Sequence, residues 1–136
     1  MTAKANGVHF VDGPEVIEQI KALLQRYVIM SDAQALICTL WMVHTYLFPQ
    51  YRGSTGYLHI SSPVAECGKS QLLEILELFV AKPTTVGGAT AAALIRTIDK
   101  ESPTLLFDEA DLNFHDKEMS ALLCSVFNNG WRPNRP

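Results

Sequence analysis

Positive charge, clustered cysteine and long apolar runs are what this sequence has least of. Charged residues make up 18% of 136 positions, and the formal net charge is −3. The whole chain therefore lacks the cationic footprint of a nucleic-acid-binding protein, and contact with DNA would need a local patch. Its three cysteines, Cys38, Cys67 and Cys124, lie far apart, with no CxxC pair and no Cys/His cluster. That spacing argues against a structural zinc site and against a disulfide framework. The first residues, Met1 to Gly7, lack the apolar core of a signal peptide. The most apolar run, Ala33 to Phe48, is interrupted by Gln34, Thr39, His44 and Thr45. It falls short of the ~20 residues that span a bilayer. The expected setting is a reducing cytoplasm, without membrane contact.

What remains is ample apolar material, at 48% of the chain, which suits one domain with a real core. Asp12-Gly13-Pro14-Glu15 reads as a helix start, with Pro at the first helical position. Val16, Ile17, Ile20, Leu23, Leu24, Tyr27 and Val28 follow at helical spacing, which predicts a helix to about Met30. Ser31 and Gln34 form a capping-box pattern that opens a second helix over Asp32 to Leu47. Leu36, Ile37, Cys38, Leu40, Trp41, Val43 and Leu47 make that helix apolar most of the way round, so it is expected to be buried. A turn-rich linker runs from Phe48 to Gly56.

The pattern changes at Tyr57. Tyr57 to Ser61 is predicted as a strand, Lys69 to Val80 as a helix, and Pro83 to Val86 as a strand followed by a Gly87-Gly88 turn. Thr90 caps a helix from Ala91 to about Asp99, which Ser102-Pro103 breaks. Thr104 to Phe107 is an almost purely apolar strand, as in a parallel sheet buried on both faces. Glu118 to Phe127 is a last helix. Strand-helix alternation of this kind predicts an α/β fold with a parallel sheet. The expected organisation is a helical segment and linker over 1–56 and an α/β core over 57–136.

The chemistry concentrates in Ser62-Pro63-Val64-Ala65-Glu66-Cys67-Gly68-Lys69-Ser70, between a strand and a helix. Consecutive backbone N–H groups at a loop and helix N-terminus bind a phosphate chain without side-chain charge. Pro63, Val64, Ala65, Glu66, Cys67, Gly68, Lys69, Ser70 and Gln71 are thus the candidate nucleotide-binding residues. Lys69 would reach the β- and γ-phosphates, and the Ser70 hydroxyl would hold Mg²⁺. Pro63 stands where the phosphate-loop consensus asks for glycine; it donates no N–H and cannot take positive φ, so the loop entry must turn differently. Leu105-Leu106-Phe107-Asp108-Glu109 is an apolar strand ending in two carboxylates. Asp108 is the candidate second Mg²⁺ ligand. Glu109 is the candidate general base, with Lys69 as its catalytic partner at the phosphates. Asp111 would assist or cap the next turn. Nucleotide hydrolysis, nucleotide binding without turnover, and phosphotransfer to a small molecule all use such loops; adjacent Asp108 and Glu109 favour hydrolysis.

Ser62-Pro63 with Cys67-Gly68-Lys69-Ser70-Gln71-Leu72-Leu73-Glu74 resembles a bacterial family of uncharacterised P-loop ATPase domains. These occur in mobile-element and phage primase–helicase-like proteins. Pro103 to Asp111 resembles the second, acidic motif of that family, Ala35 to Thr45 its preceding helix, and Ala89 to Arg96 the link between motifs. The resemblance runs from about Leu24 to Gly130. It implies an AAA+/RecA-like P-loop NTPase fold, three-layered with a mostly parallel sheet, here incomplete and preceded by two helices. It implies ATP and Mg²⁺ as cofactors, and an ATPase role in DNA replication or mobile-element transactions. DNA contact through a longer protein and homo-oligomerisation come with it. The expected polar sensor strand after the acidic motif is not found before Pro136, so the chain reads as the front portion of a larger ATPase, with little hydrolysis of its own.

Weaker candidates have plainer readings. His44 reads as a hydrogen-bonded buried helix histidine rather than a catalytic one. Cys67 lies where a helix N-terminus would lower a thiol pKa, though packing suffices to explain it. Arg96 reads as a surface charge, Thr90 as a cap rather than a phosphate sensor, and Arg132 and Arg135 as tail residues rather than a trans-acting arginine finger.

Overall fold

A computed structural model describes residues 12–50, 55–61, 68–86, 90–108 and 117–129. Helix α1 spans Gly13–Tyr27, with Asp12 as N-cap and Pro14 in its first turn. It stops before Met30, where the sequence pattern would have carried it, because Val28 turns to extended backbone while its N–H closes on Leu24. Helix α2 spans Asp32–Leu47. Its capping box is complete: Gln34 N–H donates to Ser31 Oγ at 3.3 Å, and Ser31 N–H donates to Gln34 Oε1 at 2.8 Å. The corner between the helices is also held by Lys21, which pairs with Asp32 at 3.0 Å and Glu18 at 3.1 Å. Hydrogen bonds to Asp32 and then Glu18 push the Lys21 pKa upward.

Helix α3 spans Lys69–Phe79, strand β1 Pro83–Thr85, helix α4 Ala91–Glu101, strand β2 Thr104–Leu106 and helix α5 Lys117–Asn129. Thr90 caps α4 by accepting from Ala93 N–H at 3.3 Å. Ser102 closes α4 in the left-handed region, at φ 47°. The strands pair in parallel, Pro83 with Thr104, Thr84 with Leu105 and Thr85 with Leu106. Parallel neighbours need a crossover connection, and α4 supplies it. Proline is tolerated at Pro83 because a strand's first residue need not donate to the ladder.

Side chains alternate across a strand, and β2 uses both faces. Leu106 joins a core with Leu24, Val28, Ala35, Cys38, Met42, Leu72, Ile75, Leu76 and Val80. Leu105 and Phe107 pack instead with Val86, Leu94 and Leu123, the cluster that α4 and α5 share. The strands thus separate α1, α2 and α3 on one side from α4 and α5 on the other. The first core crosses residue 56: the N-terminal helices pack directly on α3.

Three expectations change. Tyr57 to Ser61 has no strand ladder; among the described residues the sheet holds only β1 and β2. The segment instead packs Leu58 and Ile60 against the first core. β2 ends at Leu106, and only Leu106 of its residues is buried. α2 buries Ala35, Cys38, Thr39 and Met42, but Ile37, Leu40, Tyr46 and Leu47 remain exposed. A helix packed against a hairpin partner and one further helix is covered on one side only. No described helix is long and apolar enough to cross a membrane.

Candidate phosphate-binding site at the start of helix α3

Gly68 is the N-cap of α3 and takes the left-handed conformation, φ 85° and ψ 16°. Its carbonyl accepts from Leu72 N–H at 2.9 Å, closing the first helical turn. Glycine fits here because an L-side chain is strained at this φ. As a cap it brings no side chain of its own, whereas an Asp or Ser would occupy the first-turn amides. Those amides, together with the helix dipole, are what a helix N-terminus offers an anion.

The apolar positions of α3 fix which way this end faces. Leu72, Ile75 and Leu76 are buried in the first core, which leaves Ser70 and Gln71 exposed and Lys69 half-buried. Lys69 borders a small cavity of about 40 Å³ with Ile60, Leu73, Phe107 and Asp108. That is room for about one water or one compact ion. Asp108 reaches it because β2 ends at Leu106 and the chain continues past the carboxyl end of the strand. In open parallel sheets that end is where ligands bind. Lys69 and Asp108, distant in sequence, therefore meet around one cavity, with Ile60 from the segment that enters the loop.

Two neighbours brace this arrangement. Val28, just after α1, lies against Gly68: a Cβ built on the glycine would sit 3.7 Å from Val28 Cγ1. The entering segment is fastened on both sides. His44 Nε2 and Thr55 Oγ1 are 2.6 Å apart, and Trp41 Nε1 donates to Gly56 O at 3.2 Å. The Tyr57 hydroxyl donates to the carbonyls of Val126 at 3.0 Å and Phe127 at 3.2 Å, near the end of α5. Tyr57 and Phe127 stack edge-on at 5.8 Å, and Phe107 meets Phe127 at 5.3 Å. Burial pushes the Tyr57 pKa up. His44 thus has a hydrogen-bonding role at the linker, but it is half-buried rather than buried.

The sequence pointed to Lys69, Ser70, Gln71 and Asp108, and missed Val28, Trp41, Tyr57 and Phe127. The hydroxyl of Tyr57 bonds 69 and 70 residues ahead, so no local pattern carries it. Pro63, Val64, Ala65, Glu66, Cys67, Glu109, Asp111, Arg132 and Arg135 lie outside the described residues. Arg96 is exposed on α4. Among the described residues no three His, Cys, Asp or Glu side chains gather into a metal-holding group. Mg²⁺ at a nucleotide asks for less: one or two protein oxygens, with phosphates and water completing the shell. Asp108 lines the cavity with Lys69, whereas Ser70, exposed at the start of α3, is not among the residues that line it. No protein-family model matches the chain, and neither the curated proteins nor the solved structures give a match.

Proposed function

We propose that this chain binds ATP with Mg²⁺ at the start of α3, as the phosphate-binding part of an ATPase. The observation that carries the reading is the meeting of Lys69 and Asp108 around one cavity, between a glycine-capped helix start and the carboxyl end of a parallel strand. In this reading the first-turn amides and Lys69 hold the phosphates, and Ser70 and Asp108 hold Mg²⁺, which neutralises phosphate charge. Pro63, Val64, Ala65, Glu66, Cys67 and Gln71 belong to the same nucleotide-binding reading on their place in the sequence motif alone. Glu109, next to Asp108, orients and deprotonates the attacking water.

The role in DNA replication or mobile-element transactions rests on the resemblance of the two motifs to primase–helicase-like ATPases. Assembly with further copies rests on the same ground. A second reading, a nucleotide-dependent interaction module without turnover, is favoured by the exposed Ile37, Leu40 and Leu47 on α2.

Titration with Mg·ATP, paired with a turnover assay, tests both. Lys69→Ala is expected to weaken binding at least tenfold while the fold is retained. Unchanged affinity in Lys69→Ala would sink the phosphate reading. Glu109→Gln that holds ATP where the parent chain releases ADP favours the enzyme; equal, negligible turnover in both favours the module.

A further inference from the structure

The parallel ladder stops at Leu106, so Phe107 and Asp108 follow it as successive residues outside strand pairing. Both border the cavity with Lys69. Packing of the Phe107 ring therefore sets how the chain leaves the strand, and with it where the Asp108 side chain starts. Phe107 packs on the second core and on Phe127 of α5, with the two ring centroids 5.3 Å apart.

Phe127 is in turn held from outside its own helix. It is 38% exposed, so the core does not enclose it. α5 ends at Asn129, so the carbonyls of Val126 and Phe127 belong to its last turn, where no helix amide follows to meet them. The Tyr57 hydroxyl offers its proton to both, at 3.0 and 3.2 Å. The same ring meets Phe127 edge-on at 5.8 Å, an arrangement that aromatic pairs favour. Tyr57 thus caps α5 and braces its terminal ring. Contiguous contacts lead from Tyr57 to Phe127, then to Phe107, and along the chain to Asp108. Packed side chains in such a row are what carry an effect from one position to another.

We propose that Tyr57 is a positioning residue for the cavity shared by Lys69 and Asp108, acting on Asp108 through Phe127 and Phe107. What Asp108 holds there rests on the reading of this site as one for Mg·ATP; the link itself rests on the contacts. Loss of the hydroxyl frees the end of α5, lets Phe127 shift, and moves the wall from which Asp108 leaves the strand.

Two measurements on the full chain separate the link from the nucleotide reading. Without nucleotide, methyl NMR follows Leu73, which borders the cavity from α3, and Val16 on α1. Tyr57→Phe and Phe127→Leu are both expected to shift the Leu73 methyls and leave those of Val16 in place. Leu73 methyls unmoved in both variants overturn the proposal, whatever the chain binds. With nucleotide, ATP is titrated in Mg²⁺ and in EDTA. Tyr57→Phe is expected to lower the affinity gained from Mg²⁺ by about threefold, within what one hydrogen bond contributes, and to leave the EDTA titration unchanged. A general loosening of the fold would weaken both titrations alike, and that result overturns the proposal. In the Asp108→Asn background Tyr57→Phe is expected to change neither titration. A further loss there overturns it too, since the hydroxyl would then act on another group. A parent chain that binds no Mg·ATP fails the nucleotide reading alone, and the Leu73 methyls still decide the link.

Discussion

Val28 Cγ1 rests against the face of Gly68 where a side chain would begin, 3.7 Å from an ideal Cβ. The end of α1 thus touches the residue that caps α3. The gap is an ordinary contact distance, so space does not forbid a methyl there. The backbone does: Gly68 sits at φ 85°. Gly68→Ala is expected to destabilise the chain by about 1–2 kcal/mol through left-handed strain. The shift in urea midpoint measures it. Val28→Ala in the same background should restore little of that loss. Full restoration would show that crowding, and not φ, sets the cost.

Mg²⁺ dependence separates the roles proposed for Ser70 and Asp108, as metal ligands, from that proposed for Lys69. Lys69→Ala is expected to weaken ATP binding with or without Mg²⁺, because Lys69 would meet the phosphates directly. Ser70→Ala and Asp108→Asn are expected to erase the difference between titrations with Mg²⁺ and with EDTA. Affinity that still rises with Mg²⁺ in both variants would remove them from the metal site.

Thr45 links the N-terminal hairpin to the α/β part. Its hydroxyl donates to Met42 O at 2.6 Å and accepts from Ala81 N–H at 2.9 Å. Ala81 O in turn accepts from the Thr104 hydroxyl at 2.6 Å, at the start of β2. Thr45→Val keeps the shape and leaves the part-buried Ala81 N–H without that partner. The expected loss is about 1–3 kcal/mol. Thr104→Val, which removes the next bond of the chain, should lose less than additively with it. Additive losses in the double variant would mean the two bonds act independently.

Features with a local physical cause were legible in the sequence. Ser31 and Gln34 satisfy each other across three residues, so the start of α2 is written in adjacent letters. Pro14, Thr90 and Ser102-Pro103 mark helix ends for the same reason. Lys69 and Asp108 could be singled out as candidates because each motif sits at the edge of its own element. What brings them together was not readable. Tyr57 to Ser61 has strand composition, yet a strand needs a partner, and pairing is a non-local property. The anchors at its start, Trp41 on Gly56, His44 on Thr55 and the carbonyls of Val126 and Phe127 on Tyr57, lie on two other helices. The exposure of Ile37 and Leu40 was hidden likewise. Periodicity says that a face is apolar, not whether a neighbour covers it.

Cys38 supplies a pH test of the first core. It is buried on α2, and burial pushes its thiol pKa up. In the unfolded chain the thiol ionises near its ordinary value, roughly pH 8.5. Above that pH the unfolded state has released a proton that the folded state retains. Stability therefore falls as pH rises from there toward the folded pKa, and is unaffected by this group below it. Tyr57, also raised by burial, adds a decline of the same sign that begins near the ordinary tyrosine range, about pH 10. Cys38→Ala is expected to cost stability at pH 7 through the lost side-chain contacts. It should also flatten the decline between about pH 8.5 and 10, where Tyr57 contributes little. Urea unfolding at half-unit steps across that window gives both numbers. An equally steep decline in Cys38→Ala would assign it to another group and place the Cys38 thiol in contact with water.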